Sequence, residues 1–334
     1  MASRVYVEAA IREHPRTLQL LQRLHRLPVI DIEHYGEVFN PRSQNFRLQK
    51  RNPAIIIAFK NQGHVLAAPP GYGLGGEHNY YFSHMLNCIY DCRYCFLQGM
   101  YQSAHQVLFV NYEDFGNQIR RLAERHAPQP VWFYSGYDCD SLANEPLTRF
   151  TDYFIPLVAG IENAWMELRT KSTQVRGLLK IQPFERVITA FSFSDAFSHA
   201  RLEHGVPTIT RRIDAMRRLA DAGWKLGLRF DPVIYHPDYQ AAFASLLQRI
   251  FDVLDAQAIH SVSLGSFRLT RDHFRTAARL YPEEPLFAQP MTLERGIMSY
   301  PGEREREMIE FCETALLQHI SPQTYHPCSW HEQA

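Results

Sequence analysis

Residues 88–95 read CIYDCRYC, so three cysteines stand in a C-x3-C-x2-C spacing. Cys88, Cys92 and Cys95 are close enough along the chain for their thiolates to surround one metal centre. A structural zinc site uses four closed ligands, whereas a cubane held by three cysteines leaves one iron open to another ligand. The triplet therefore favours an iron–sulfur cluster. Zinc remains an alternative if His84 or a more distant histidine supplies a fourth ligand.

Strand and helix patterns alternate after this triplet. The strand candidates are 78–88, 130–135, 164–170, 187–194, 224–230 and 259–264, and the helix candidates are 112–126, 146–163, 173–180, 208–222, 238–256 and 270–279. Such alternation with short loops is typical of a parallel barrel or of an open parallel sheet covered by helices. We expect an α/β fold with appendages at both ends.

Three regions are expected along the chain. An N-terminal appendage covers 1–76, where residues 1–26 show helical spacing and 53–58 read as a strand. The barrel covers 77–280. A C-terminal extension, 281–334, contains a helix at 302–318 and a polar tail.

The overall charge is balanced, with 35 Lys and Arg against 35 Asp and Glu. The molecule as a whole therefore presents no strong field to a polyanion, and a nucleic-acid site must be a local patch. Candidates are the arginines at positions 4, 12, 16, 23 and 26, and the cluster of Arg42, Arg47, Lys50 and Arg51. Solvated surface is the alternative reading of both.

Hydropathy and cysteine content predict a soluble cytoplasmic protein without a membrane partner. No window of about 18 uncharged apolar residues occurs, and arginines interrupt the N-terminal stretch where a signal peptide needs an apolar core. Six cysteines are too few for a disulfide-built scaffold of this length. Cys312 and Cys328 lack ligand spacing and read as buried bystander thiols.

Polar residues follow the ends of several predicted strands. The carboxyl ends of parallel barrel strands meet at one rim, where active sites are found. The residues expected at this rim are Cys88, the segment 135–139, Lys171, Ser192 and Asp231. Asp231 could also form a turn with Pro232.

The triplet, with Tyr94 and Phe96 beside its last cysteine, resembles the signature of the radical S-adenosylmethionine superfamily. The resemblance implies a [4Fe–4S] cluster on the three cysteines, whose open iron binds the amino and carboxylate groups of S-adenosylmethionine. In that superfamily one electron from the cluster cleaves the sulfonium and gives a 5′-deoxyadenosyl radical that abstracts hydrogen. It also implies a partial (β/α)6 barrel of the TIM type, in the form found in radical SAM enzymes, and an electron donor such as flavodoxin or ferredoxin.

From about residue 50 to about residue 240 the chain resembles the spore photoproduct lyases. Residues 96–98, FLQ, are similar to the aromatic-Leu-Gln that follows the triplet in that family. Residues 202–236, LEHGVPTITRRIDAMRRLADAGWKLGLRFDPVIYH, resemble the family's E-H-G…R-I-A…G…L-G…P-I segment. The resemblance implies a DNA repair lyase that takes hydrogen from C6 of a thymine dimer lesion and reverts it to two thymines.

The same resemblance implies roles for four further residues. Cys139 matches a cysteine that returns hydrogen to the product radical, and a thiol S–H is a weak bond suited to that task. Ser141 matches a serine that contacts the cofactor, and Lys171 matches a lysine for the cofactor carboxylate. Ser192 stands at the matching strand end and is also expected to bind the cofactor. Each of these roles has an alternative. Cys139 could be a small apolar side chain packed in the core, and Lys171 could be an ordinary surface lysine. Ser194 faces the same side of its strand as Ser192 and could take its place.

The chain also departs from the family. Tyrosines on both sides of the last cluster cysteine are thought to pass hydrogen back to the cofactor, which implies a catalytic role for Tyr94. Phe96 has no O–H to give, so the relay is shorter, the cofactor is consumed, or the substrate differs. Residues 140–146, DSLANEP, depart from the family's Thr-Ser-Asp continuation, and the region of its lesion-binding hairpin matches less clearly.

Three functions stay open at this point. The first is the repair lyase, and the second is a radical SAM enzyme of the same lineage acting on another nucleotide or a small molecule. The third is a non-catalytic iron–sulfur or zinc protein that binds nucleic acid, which Cys139, Lys171 and Ser192 argue against. The tyrosines at positions 80, 81, 90, 94, 134 and 137 could stack on adenine or a flipped base, or fill the core. Glu203 and His204, before Gly205, read as a turn.

Overall fold

The computed structural model describes residues 2–39, 42, 44–69, 71–74 and 76–328. Its strands are β1 (Val5–Glu8), β2 (Val29–Ile32), β3 (Ile55–Ala58), β4 (Leu66–Ala67), β5 (His78–Phe82), β6 (Met85–Leu86), β7 (Asp91–Cys92), β8 (Gln106–Phe109), β9 (Val131–Ser135), β10 (Ala164–Thr170), β11 (Val187–Ser192), β12 (Glu203–His204), β13 (Leu226–Val233), β14 (Ile259–Ser266), β15 (Arg268–Thr270), β16 (Thr292–Glu294), β17 (Ile297–Ser299) and β18 (Tyr325–Pro327). Its α-helices are α1 (Pro15–Arg23), α2 (Phe46–Arg51), α3 (Tyr112–His126), α4 (Glu145–Thr148), α5 (Phe150–Ala159), α6 (Ala196–Leu202), α7 (Ile209–Asp221), α8 (Tyr239–Phe251), α9 (Arg271–Leu280) and α10 (Gly302–Leu316).

The largest sheet has eight strands. Strands β5, β9, β10, β11, β13 and β14 run parallel, each paired with the next. At the edges, β18 adds a parallel strand beside β14 and β4 an antiparallel one beside β5. The six consecutive parallel strands confirm the predicted six-unit barrel and place the ends of these strands on one rim.

Apolar runs explain why the strands of this sheet form. Every residue of β9 and of β11 is buried, as expected for parallel strands that are covered on both faces. Helix α3 buries Phe115, Ile119 and Leu122, spaced three and four residues apart, so one stripe of the helix faces the sheet. This local periodicity explains why the predicted bounds of α3 and β10 match the structure.

A second sheet, in the order β2-β1-β3-β8-β6, lies against the barrel. Residues 1–26 were expected to be helical, but they open with β1, because Val5 and Val7 are buried between parallel neighbours. Helix α1 then starts with Pro15 at its first position. Strands β6 and β8 come from beyond residue 76, so this sheet joins the N-terminal segment to the barrel region. The expected division at 76 and 280 stays a prediction.

Three other segments differ from expectation. The strand candidate 78–88 breaks after Phe82, and β6 pairs with β8 in the second sheet. The helix candidate 146–163 splits into α4 and α5 at Arg149, whose φ is 48°. The helix candidate 173–180 is mostly irregular, because Gln174 N donates to Ser172 Oγ at 3.1 Å, a local bond that competes with a helix.

The C-terminal part returns to the barrel. Strands β16 and β17 form a hairpin whose turn residues Arg295 and Gly296 have positive φ, and β17 also pairs with β15. Helix α10 buries Met308, Cys312 and Leu316. The polar tail then forms β18, an edge strand of three residues, which is too short to show a strand pattern in the sequence. Within the described ranges, every helix is too short or too polar to cross a bilayer.

Candidate active site

A cavity of about 310 Å³ opens at the carboxyl ends of the parallel strands. Seven predicted site residues line it together: Cys88, Cys92, Tyr94, Cys95, Cys139, Lys171 and Ser192. The remaining wall is formed by Tyr72, Tyr90, Phe96, Leu97, Gln98, Gly136, Tyr137, Asp140, Arg169, Thr170, Asp231, Pro232, Arg268 and Leu269. The folded chain therefore brings the local cysteine triplet together with residues from four separate strand ends.

The cysteine loop is held at both of its ends. Asn87, with φ 64°, begins the loop, and its side-chain amide donates to the carbonyls of Ser103 and His105, both at 2.7 Å. At the centre, Cys92 pairs with Glu203 where β7 meets β12. A turn then closes with Cys95 N donating to Cys92 O at 3.0 Å. The position of the thiols is therefore fixed by backbone contacts rather than by a disulfide.

The donor set at the loop fits a cluster with three cysteine ligands. All three cysteines are free thiols at the cavity wall. Burial raises the pKa of each thiol, that of Cys88 to about 12, so thiolates here require a strong positive charge such as cluster iron. His84, the candidate for a fourth zinc ligand, lies elsewhere, since its buried ring stacks on Phe150 at 4.0 Å.

Asp140 joins the loop after β9 to the end of β10. Its carboxylate accepts hydrogen bonds from Thr170 Oγ1 and from Lys171 N, both at 2.6 Å. The backbone N–H groups of Leu142 and Ala143 also donate to it. Cys139 and Lys171 belong to loops after different strands, and this one buried carboxylate sets their relative position.

Cys139 lies between the two sheets. One side of it faces the cavity, and it also belongs to the apolar cluster of the second sheet, with Val7, Ile57 and Leu108. Burial raises the pKa of the Cys139 thiol well above its ordinary value. The sulfur is therefore held as S–H at neutral pH, the form that can give up a hydrogen atom.

Ser141 is the one predicted site residue outside the cavity wall. Its Oγ bonds to Ser135 Oγ at 2.8 Å and donates to Ser135 O at 3.0 Å. A side chain at Gly136, where φ is 78°, would place its Cβ 2.5 Å from this hydroxyl. Ser141 thus fastens the tight turn that carries Cys139, and its contact with a cofactor stays a prediction.

Glu203 is the residue that reasoning from the sequence missed. Its buried carboxylate accepts from the hydroxyl of Tyr94 and from Ser194 Oγ at 3.1 Å. Three cationic or ionisable groups also contact it, at 3.7 Å from Lys171 Nζ, 2.8 Å from Arg212 Nη2 and 2.7 Å from His199 Nδ1. Burial alone would raise the pKa of Glu203, but Lys171 and Arg212 outweigh it and lower the pKa.

The charges of this network leave one cation facing the cavity. The side chain of Arg212 is fully buried, and besides Glu203 it binds the carbonyl of Ser192 at 2.7 Å. Lys171 is 15% exposed and lines the cavity. These two cations share Glu203, and the carboxylate of Asp140 bonds to the backbone N–H of Lys171 rather than to its ammonium. The ammonium of Lys171 is therefore only partly neutralised, and an anionic group of a ligand would complement it.

Two more ion pairs contribute Asp231, Arg268 and Arg169 to the cavity wall. Asp231, which could have been a turn former or a site acid, pairs with Arg268 at 2.8 Å. Arg169 binds Glu167 at 2.9 Å, and Glu167 also binds the fully buried Arg229 at 2.7 Å inside the barrel. Arg169 and Glu167 lie two residues apart on β10. The pairs of Asp231 with Arg268 and of Glu167 with Arg229 join different strands, so sequence patterns do not predict them.

The candidate aromatic residues separate into two groups. Tyr90, Tyr94 and Tyr137 line the cavity, and Tyr137 contacts Phe96 with 5.3 Å between ring centroids. Tyr80 instead bonds His126 at 2.8 Å, and Tyr134 is buried with its hydroxyl donating to Asn79 at 2.9 Å. Only the first group is placed to meet a ligand in this cavity.

Comparison with known proteins agrees with this geometry. The sequence model of the family described as spore photoproduct lyase matches residues 77–292. The spore photoproduct lyase of Bacillus subtilis (strain 168) is 22% identical over 289 residues, covering 84% of this chain and 83% of the relative. That of Geobacillus sp. (strain Y412MC61) is 24% identical over 202 residues, covering 60% of this chain and only 59% of the relative.

Solved structures show the same fold. A spore photoproduct lyase double mutant with bound AdoMet and dinucleoside spore photoproduct superimposes with a TM-score of 0.87 at 19% identity, covering 98% of each chain. Spore photoproduct lyase complexed with dinucleoside spore photoproduct gives 0.85 at 19% identity, again over 98% of each chain. The predicted partial barrel of the radical SAM type is confirmed. With the family match extending over most of the barrel, the chain belongs to the spore photoproduct lyase family.

Proposed function

We propose that this chain is a radical S-adenosylmethionine lyase that repairs spore photoproduct in DNA. The observation that carries the proposal is the single cavity in which the three-cysteine loop, Cys139 and Lys171 meet. Membership of the spore photoproduct lyase family supports the same reaction. The substrate is a thymine dimer lesion, and an electron donor such as flavodoxin or ferredoxin is required.

Different residues of the cavity would bind the cluster and S-adenosylmethionine. Cys88, Cys92 and Cys95 would hold a [4Fe–4S] cluster, and the ammonium of Lys171, positioned by Glu203, would meet the carboxylate of S-adenosylmethionine. When bound, these two groups supply a radical that abstracts hydrogen. Ser192 lines the cavity next to this site and Ser141 holds the turn behind it, so both act at the cofactor side.

Cys139 completes the reaction on the product side. Its S–H bond breaks and a C–H bond forms as the hydrogen passes to the thymine-centred radical, which leaves a sulfur radical on Cys139. Packing against the second sheet keeps this sulfur away from bulk water, which protects the radical from side reactions. Tyr94, directly before Cys95 in the cysteine loop, carries a hydroxyl that donates to Glu203.

The chemistry also indicates a reducing compartment such as the cytoplasm. All six cysteines are free thiols, and three of them are required as thiolate ligands. An oxidising compartment would favour disulfides among such cysteines.

An anaerobic assay tests the proposal. The cluster is reconstituted and reduced, S-adenosylmethionine is added with or without DNA containing spore photoproduct, and 5′-deoxyadenosine and thymine are followed by chromatography. We expect both products, and neither from Cys92→Ala, which lacks one cluster ligand. Deoxyadenosine without thymine would assign another substrate to the site, and no deoxyadenosine from a fully loaded cluster would overturn the proposal.

A further inference from the structure

We propose that a basic surface beside the cysteine loop is the docking site for a small acidic electron-transfer protein. This surface, the cluster-loop patch, consists of Arg47, Lys50 and Arg51 on α2 and of Ile89 and Arg93 on the loop. The inference rests on the proposed function, because only a cluster that must be reduced needs such a partner.

The patch covers the outer side of the segment that carries the first cysteine. Lys50 Nζ donates to the carbonyl of Cys88 at 2.7 Å, and Ile89 follows Cys88 directly. Arg93 lies between the second and third cysteines, and its guanidinium stacks 3.8 Å from the ring of Tyr281. Electron transfer weakens steeply with distance, so a donor bound on this surface would stand close to the cluster ligands.

The basic residues of the patch point in one direction. Arg47, Lys50 and Arg51 are spaced i, i+3 and i+4, so they share one face of α2. That face is turned toward the loop, since Arg47 also lies over Tyr281 at 5.4 Å, on the same ring that Arg93 contacts. Helix α2 and the cysteine loop therefore present one continuous surface.

The charge of the patch is only partly neutralised. Arg47 pairs with Glu283 at 2.6 Å and Arg93 with Asp91 at 3.2 Å. Among the described residues, Lys50 and Arg51 have no carboxylate partner within 4.0 Å. Glu284 also lies near Arg93, so the four basic residues exceed the nearby carboxylates by one charge, and this excess lies at Lys50 and Arg51. The chain as a whole carries no net charge, so the excess is a feature of this surface. A negatively charged protein would be steered to it.

An exposed apolar side chain distinguishes the patch from a surface for DNA. Ile89, next to Cys88 on the loop, is 48% exposed. An exposed apolar side chain among charged ones is typical of a protein interface, whereas DNA interfaces are polar and strongly positive. In addition, none of the five patch residues belongs to the cavity wall that a lesion must enter. These observations favour a protein partner.

Stopped-flow reduction of the reconstituted full-length protein tests the inference. The loss of cluster absorbance is followed with flavodoxin hydroquinone, with a reduced ferredoxin as second probe, and with photoreduced 5-deazariboflavin as a small uncharged reductant. The variants are Arg51→Glu and Ile89→Asp, with Arg218→Glu, an exposed arginine on α7, as matched control. No substrate is present, so the result is independent of the lesion that the enzyme repairs.

We expect Arg51→Glu to slow reduction by the acidic donor about 10-fold at low salt, with a smaller effect as ionic strength rises. Ile89→Asp should slow it at all salt concentrations, while Arg218→Glu and the deazariboflavin rates stay within about twofold of wild type. Unchanged donor rates in both variants, or a wild-type cluster that neither protein donor reduces, would overturn the inference. Weakened DNA binding with unchanged reduction would assign the patch to nucleic acid instead.

Discussion

Lys171 Nζ lies 3.7 Å from Oε1 of Glu203, a buried carboxylate that also accepts from the Tyr94 hydroxyl. The backbone of Glu203 pairs with that of Cys92 in the cysteine loop. One residue therefore links the lysine expected at the cofactor carboxylate, the phenol beside the last cysteine, and the loop that would hold the cluster. The position of Lys171 depends on this link.

Replacing Glu203 with Gln should weaken S-adenosylmethionine binding while the cluster still forms. Gln keeps the shape but removes the charge that holds Lys171, so we expect KM for S-adenosylmethionine to rise about 10-fold, or about 1.4 kcal/mol, with a smaller change in kcat. Electron paramagnetic resonance of the reduced cluster, with and without S-adenosylmethionine, checks the same point. Glu203→Asp should restore part of the affinity.

The matched control for Glu203→Gln is Glu145→Gln. Glu145 is also buried, but it bonds to Thr151, away from the cavity. This variant should leave KM unchanged. Equal effects of the two variants, or a fall in kcat alone, would contradict a positioning role for Glu203.

Cys139→Ala should separate radical formation from repair. The cofactor side of the cavity stays intact, so 5′-deoxyadenosine is still produced, but thymine recovery should fall sharply because the hydrogen-atom donor is lost. By-products of the unquenched thymine radical should appear by chromatography. Cys312→Ala, which removes a buried thiol from α10, should leave the product pattern unchanged. An unaltered pattern in Cys139→Ala would remove this cysteine from the mechanism.

Phe96→Tyr should reduce the amount of S-adenosylmethionine consumed for each lesion repaired. Phe96 lines the cavity beside Tyr137, and the substitution adds a phenolic O–H that can return hydrogen toward the cofactor. The measurement is the ratio of 5′-deoxyadenosine to thymine over many turnovers, compared between Phe96→Tyr and wild type. A ratio that does not fall would show that the wild-type chain does not depend on a second tyrosine at this position.

Lowering the pH should remove the stabilisation that the buried ion pair of Glu167 with Arg229 gives to the fold. Burial alone would raise the pKa of Glu167, but Arg229 and Arg169 outweigh it and lower the pKa to about 2 from 4.5. Since the pKa is lower in the folded chain, this carboxylate stabilises the fold above about pH 4.5, and the contribution is lost as the pH falls toward about 2.

The variant Glu167→Gln isolates this contribution. At pH 7 it leaves buried Arg229 without its counter-charge, which should cost about 3–5 kcal/mol. The free energy of unfolding of the wild type and of Glu167→Gln is measured with guanidinium at pH 7, 4.5, 3.5 and 2.5. We expect the difference between the two free energies to become smaller as the pH falls. A difference that stays constant from pH 7 to 2.5 would mean that the charge of Glu167 does not stabilise the barrel.

Sequence patterns were sufficient wherever the information is local. The bounds of α3 and β10 could be predicted to the residue, because each element buries one face or one run of its own side chains. The cysteine triplet is local in the same way, since eight consecutive residues carry all three ligands. The order of six strands and helices also predicted the parallel pairing, because parallel strands require crossover connections. The choice of a partial barrel over an open sheet came from the resemblance to the radical SAM superfamily.

Only the tertiary structure decided which side chains meet. Glu203 read as a turn residue, yet it contacts Lys171 across 32 positions of the chain, and Glu167 meets Arg229 across 62. The strand at Val5–Glu8 and the edge strand at Tyr325–Pro327 depend in the same way on distant partners. Periodicity reports whether a residue is buried in its own element, but ion pairs and short edge strands are stabilised by neighbours that only the folded sheet supplies.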